Sequence, residues 1–147
     1  MITVKQLLKT KGNQVWSVSP GDSIRLAIQM MSEKEIGAVL VLENGKVAGI
    51  FSERDYTRLS ISAGGCSLND PVSKMMTRSV FVVTPETTLE ECMALMTQKR
   101  FRHLPVVEHG EVVGVISIGD VVKELITEMH FTIQGLEDYI IREDRDT

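Results

Sequence analysis

Two stretches of this 147-residue chain repeat one spacing of reactive groups. They are Gly49-Ile50-Phe51-Ser52-Glu53-Arg54-Asp55 and Gly114-Val115-Ile116-Ser117-Ile118-Gly119-Asp120. In each, a hydroxyl stands three residues after a glycine, and a carboxylate three residues after the hydroxyl. Each serine falls where an apolar, β-branched run ends and a helical pattern begins. The free N–H groups and the dipole at a helix start favour an anion. A carboxylate suits two neighbouring hydroxyl donors, through charge-assisted bonds of about 1.5–3 kcal/mol each. Glycine ahead of the site allows close approach of backbone and ligand. The same spacing is also that of a capping box, with serine as N-cap and the acid at the third helical position. Capping alone explains one such pair, because caps are common. Two pairs at matching places in two matching repeats point to a binding site in at least one.

Other chemistry is sparse. His103, His109 and His130 lie far apart, without metal-ligand spacing. Cys92 sits among Met93, Leu95 and Met96 and reads as core, whereas Cys66 follows Gly64 and Gly65 in a loop. No CxxC or Cys/His cluster implies a disulfide framework or a zinc site, and a reducing cytoplasm is expected. There is no dinucleotide-binding glycine pattern, Walker loop or HExxH. The net charge of -4 argues against a phosphate-backbone binder, so no nucleic-acid partner is expected. No apolar run approaches the roughly 20 residues of a membrane span, and residues 1–11 are too short and polar for a signal peptide.

The elements that must position these groups follow from an internal repeat. Shifted by 65 residues, Pro20 falls on Pro85, Met31 on Met96, Val41 on Val106, Gly45 on Gly110, Gly49 on Gly114, Ser52 on Ser117 and Asp55 on Asp120. Each copy reads as a short β-branched strand (15–18; 80–83), then a helix with apolar residues at three- and four-residue spacing. Two strands joined at a glycine turn come next (38–42 with 47–51; 104–107 with 112–116), and a second helix begins near Glu53 and Ile118. One unit alone buries little apolar surface, so the two are expected to pack as one two-lobed body. The expected divisions are 1–63 for the first repeat with its N-terminal segment and 64–76 for a linker ending in a short helix at 72–76. The second repeat is expected at 77–128 and a helical extension at 129–147.

The repeat resembles a CBS domain, and the tandem resembles a CBS pair, or Bateman module, over about residues 1–128. The resemblance rests on Val18-Ser19-Pro20, on Phe101-Arg102-His103-Leu104-Pro105-Val106-Val107 and on the two Gly-x-x-Ser-x-x-Asp stretches. It implies an α+β fold of two tandem β-α-β-β-α units with pseudo-two-fold symmetry. It also implies a regulatory role without catalysis or catalytic cofactor. The ligand would contain adenosine (AMP, ADP, ATP, NAD or S-adenosylmethionine) and lie in clefts between the repeats. By resemblance, Asp55 and Asp120 hold ribose hydroxyls, and Ser52 and Ser117 meet phosphate. Val18, Ala38, Val39, Val83 and Pro105 are the expected adenine wall. Alternatives are a ligand-free dimerisation scaffold and, more remotely, a nucleotide hydrolase using Asp55 and His103.

The copies differ ahead of their middle strands. The second has Lys99-Arg100-Phe101-Arg102-His103 where the first has Lys34-Glu35-Ile36-Gly37-Ala38. In the family, basic residues here reach across to phosphates of the ligand whose ribose the other repeat holds. Ser52, Arg54 and Asp55 are then expected to share a pocket with Arg102 and His103, and Asp120 to face the small, neutral Gly37 and Ala38. Tighter nucleotide binding is expected at Asp55.

Beyond the repeats, Val122, Ile126, Met129, Ile133, Leu136 and Ile140 are spaced 4, 3, 4, 3, 4, as in a coiled-coil seam. A helix over 118–142 would be about 37 Å long, with 143–147 frayed. The long seam and the family's habit of pairing into discs predict a homodimer. With no catalytic, channel or DNA-binding segment in the chain, the regulated partner is expected to be a separate protein.

Overall fold

The structure is a computed structural model that describes residues 1–62, 65 and 67–146, with side chains described as far as Tyr139. Cys66 and the side chain of Ile140 therefore lie outside the described residues.

The alternating apolar runs form two antiparallel hairpins of the same register. In the first lobe β2 (Ala38–Glu43) pairs with β3 (Lys46–Ser52), and in the second β4 (His103–Glu108) pairs with β5 (Glu111–Ser117). Ala38 faces Ser52 as His103 faces Ser117, and a bulge falls at the same place in each pair. The turns hold Asn44 and Gly45, and His109 and Gly110, all at positive φ. That is the backbone a two-residue hairpin turn matched to strand twist requires. Helix α2 (Ile24–Lys34) starts at the Ser23 cap and α4 (Leu89–Lys99) at the Thr88 cap. Each ends on a left-handed non-glycine residue, Glu35 and Arg100. The pattern repeats at every level, giving two β-α-β-β-α units with their second helices α3 (Glu53–Leu59) and α5 (Ile118–Asp146).

The first strands are shorter than their composition predicts. Residues 15–18 reduce to β1 (Ser17–Val18), parallel to β2. Residues 80–83 form no strand; only Val83 bridges Val106, through Val83 N–H to Pro105 O (3.0 Å) and Val107 N–H to Val83 O (2.8 Å). The reason is upstream. Thr77 exchanges backbone bonds with Ile50 of the first lobe (2.8 and 3.0 Å). The chain must cross between lobes within a few residues, and Phe81 and Val82 stay exposed on the way.

The segments that precede the repeats are exchanged. Helix α1 (Val4–Lys11) starts at a Thr3–Gln6 capping box and buries Val4 and Leu7 in the core of the second lobe, with Leu89, Cys92, Leu104 and Ile116. Val4 N–H donates to Thr87 O and Leu89 N–H to Ile2 O. Conversely, the single turn Val72–Lys74 buries Val72, Met75 and Met76 in the first lobe, with Ile24, Val41 and Phe51. The two glycines that match between the repeats, Gly49 and Gly114, serve this exchange. A Cβ on Gly49 would lie 2.7 Å from Thr77 O and 2.9 Å from Met76 Sδ, and one on Gly114 would lie 2.8 Å from Leu8 Cδ2. What approaches them closely is the crossing chain, so the expected ligand contact is replaced by packing.

The final helix runs to Asp146 in the backbone, beyond the expected end at Arg142. Its 29 residues span about 43 Å. Among the described residues its start is tied down: Val121 is fully buried and Leu125 packs on the core of the second lobe.

Candidate functional site

Both Ser–Asp pairs sit at strand-to-helix junctions and both form the capping box. Ser52 N–H donates to Asp55 Oδ2 (3.1 Å) and Asp55 N–H to Ser52 Oγ (3.1 Å). Ser117 N–H donates to Asp120 Oδ2 (2.9 Å) and Asp120 N–H to Ser117 Oγ (3.1 Å). The cap uses one oxygen of each carboxylate and the acceptor side of each hydroxyl. The hydroxyl proton of each serine remains, as does Asp120 Oδ1, whereas Asp55 Oδ1 meets Arg58, so the cap by itself does not use up either pair.

Each junction opens on its own cleft between the lobes. The Asp120 cleft has a volume of about 780 Å³ and includes Lys11, Trp16, Lys34, Gly37, Ala38, Val39, His103 and Ser117. The Asp55 cleft, about 520 Å³, includes Ser52, Arg54, Arg58, Phe81, Lys99, Arg100, Phe101, Arg102 and His103. Gly37, Ile50 and His103 line both. A Cβ on Gly37 would touch the His103 ring at 3.7 Å, so the two lobes meet across this partition.

The clefts draw charge from different places. In the Asp55 cleft, Arg54 and Arg58 come from α3, and Lys99, Arg100 and Arg102 from the other lobe. Asp55 itself is buried, with Arg58 Nη2 at 3.3 Å from its Oδ1. The Asp120 cleft is not neutral, as the Gly37–Ala38 comparison led one to expect. Lys11, the last residue of α1, pairs with the Asp120 carboxylate and donates to Val115 O. Lys34 lies over Trp16, 4.4 Å from the ring centroid. Lys11 precedes the repeated segment, so aligning the copies cannot reveal it; only the exchange of α1 into the second lobe does.

Two titrations in the clefts are displaced. Burial lowers the His103 pKa, the Lys11 and Arg102 charges add to this, and Asp120 and Asp55 oppose it. His103 is thus a neutral ring at neutral pH, with one N–H to donate and no charge. For Asp120, burial raises the pKa, but hydrogen bonds from Lys11 and Ser117 and the lysine charge outweigh it, holding the carboxyl below its ordinary value.

The expected adenine wall is divided. Ala38 and Val39 line the Asp120 cleft, while Val18 and Val83 lie in the two cores and Pro105 is buried in β4; none of these three lines a cleft. The flat surfaces that do are aromatic: Trp16 in one cleft, and in the other Phe81 and Phe101, whose centroids are 5.4 Å apart. Their signal in the sequence was slight, since an aromatic beside a β-branched run reads equally as core. Among the described residues, no cluster of three or more His, Cys, Asp or Glu could hold a metal ion.

Two interlocked β-α-β-β-α lobes with paired Ser–Asp clefts define the class: a tandem pair of small α+β domains. The CBS domain family model matches residues 2–62 and 72–127, and the chain belongs to the CBS-domain family, whose modules are regulatory and not catalytic. It is 35% identical over 148 residues to the CBS domain-containing protein CBSX3, mitochondrial, of Arabidopsis thaliana, covering 94% of this chain and 71% of that one. The crystal structure of the CBS domain protein NE2398 is 45% identical with a TM-score of 0.80, over 84% of this chain and 97% of that one. CBSX2, solved in complex with AMP, is 26% identical with a TM-score of 0.71, over 86% of this chain and 98% of that one.

Proposed function

We propose that this CBS pair is a regulatory module that binds an adenosine-containing ligand in the clefts between its lobes. The observation that carries this is the pairing, in each cleft, of a Ser–Asp helix start with cations supplied by other elements. A carboxylate for a diol and cations for phosphate stand together at each helix N-terminus, where negative charge is already favoured. The complex of CBSX2 with AMP supports the ligand class. AMP, ADP, ATP, NAD and S-adenosylmethionine all contain the required diol. In this reading Asp55 and Asp120 take the ribose and Ser52 and Ser117 donate to phosphate. Arg54 and Arg102 neutralise phosphate in the Asp55 cleft, with His103 as a neutral donor. The five cationic side chains of the Asp55 cleft make it the tighter nucleotide site.

In the same reading the chain is a homodimer, held by the apolar stripe of its last helix. A reducing compartment such as the cytoplasm is consistent with Cys92, a free thiol that burial pushes up to a pKa of about 11. No helix among the described residues is long and apolar enough to cross a membrane.

Thermal denaturation with each of the five ligands tests the reading. A ligand that binds only the folded state raises Tm, by about 2.7 kcal/mol of stability at a hundred times Kd. At least one ligand is expected to raise Tm at millimolar concentration. No shift with any of them overturns the proposal.

A further inference from the structure

Among the described residues, the longest apolar face without a partner is on α5. Leu125 still packs on its own lobe, but Ile126, Met129, Ile133 and Leu136 are 49, 62, 50 and 60% exposed. Their three- and four-residue spacing places them in one stripe, the pattern of a helix that seats against another helix. We infer that this stripe is the contact with a second copy of the chain, and that the two helices run antiparallel. This rests on the homodimer reading above and adds its geometry.

The direction follows from register and charge. In an antiparallel pair, Ile126 faces the partner's Leu136 and Met129 faces the partner's Ile133. Both pairs are symmetric about position 131, so one two-fold axis generates all the contacts, as a closed isologous dimer requires. The same register puts Lys123, exposed at the edge of the stripe, on the same flank as the partner's Glu137 and about 3 Å from level with it along the axis, and the two-fold repeats that ion pair. It also sets Leu125 beside the partner's Tyr139, which is 61% exposed in the single chain. A parallel pair has no such match: Lys123 and Glu137 would then stand about 21 Å apart along the axis, and the positions flanking the seam would bring together no opposite charges.

The assay is sedentation-equilibrium mass of the full chain at micromolar concentration, with Tm as a control for folding. Ile133→Glu is expected to weaken the dimer by on the order of a hundredfold, because the substitution is repeated across the axis. Lys123→Glu sets like charges together twice and is expected to weaken it about tenfold. Adding Glu137→Lys to Lys123→Glu is expected to restore the wild-type dissociation constant. A dimer indifferent to Ile133→Glu overturns this contact while leaving a dimer built on the lobes. Loss with Ile133→Glu but no rescue by the double reversal overturns the antiparallel direction. A monomeric wild type overturns both readings.

Discussion

Replacing Lys11 by methionine separates two things that this lysine does. It pairs with the Asp120 carboxylate, to which a ribose diol would also bond, and its charge lies in the cleft where a phosphate would sit. The ion pair is partly solvated, with the side chains 32% and 26% exposed, so its net worth is about 0.5–1 kcal/mol. Methionine keeps the apolar stem and removes the competitor. Adenosine, which has no phosphate, should therefore bind the Asp120 cleft about two- to fivefold more tightly. AMP also gains that release but loses a charge-assisted bond of about 1.5–3 kcal/mol, for a net weakening. The preference for AMP over adenosine should fall by roughly tenfold to a hundredfold. The measurement is calorimetry with both ligands in an Asp55→Ala background, where only the Asp120 cleft titrates. Trp16, the single tryptophan, lines that cleft and gives an independent fluorescence signal. If both ligands change affinity by the same factor, Lys11 has no part in phosphate recognition.

Three further outcomes follow from the geometry. Asp55→Ala should reduce nucleotide affinity more than Asp120→Ala, and equal losses in calorimetry would refute the asymmetry of the clefts. Gly49→Ala should cost about 1–3 kcal/mol of unfolding free energy in urea, because a Cβ there meets the Thr77 carbonyl. Gly114→Ala should cost less, because the Leu8 side chain it meets can rotate. His103 has a folded-state pKa below its ordinary 6.5, so protonation is harder in the folded protein than in the unfolded chain. Its destabilising effect should be absent above 6.5 and grow as pH falls from there to the folded-state value. His103→Gln should flatten the Tm profile over that interval, and an unchanged slope would assign the dependence to other groups.

Much of this was legible in the chain because it was written twice. The hairpins, their glycine turns and the Ser–Asp junctions all follow from local patterns that the 65-residue shift reinforces. What lay outside the repeat, or passed between its copies, was not legible. Val4, Leu7 and Lys11 carry no mark that they belong to the second lobe, since α1 is separated from it by the whole first repeat. Gly49 and Gly114 could be recognised as needing space, but not for what; periodicity shows that a residue is crowded without naming its neighbour. Val18, Val83 and Pro105 fit an adenine wall and a core equally well by composition, and only tertiary packing shows that all three are buried.

The exchange of leading segments makes the two repeats inseparable halves. Cutting the backbone between Ser62 and Ser67 would yield two peptides, each lacking a piece of its own lobe and holding a piece of the other's. The upstream peptide keeps α1, which fills the downstream core through Val4 and Leu7; the downstream peptide keeps Val72 and Met75, which fill the upstream core. Such a nicked molecule would stay together as a clasp and melt as one unit, and neither repeat expressed alone would inherit a complete core.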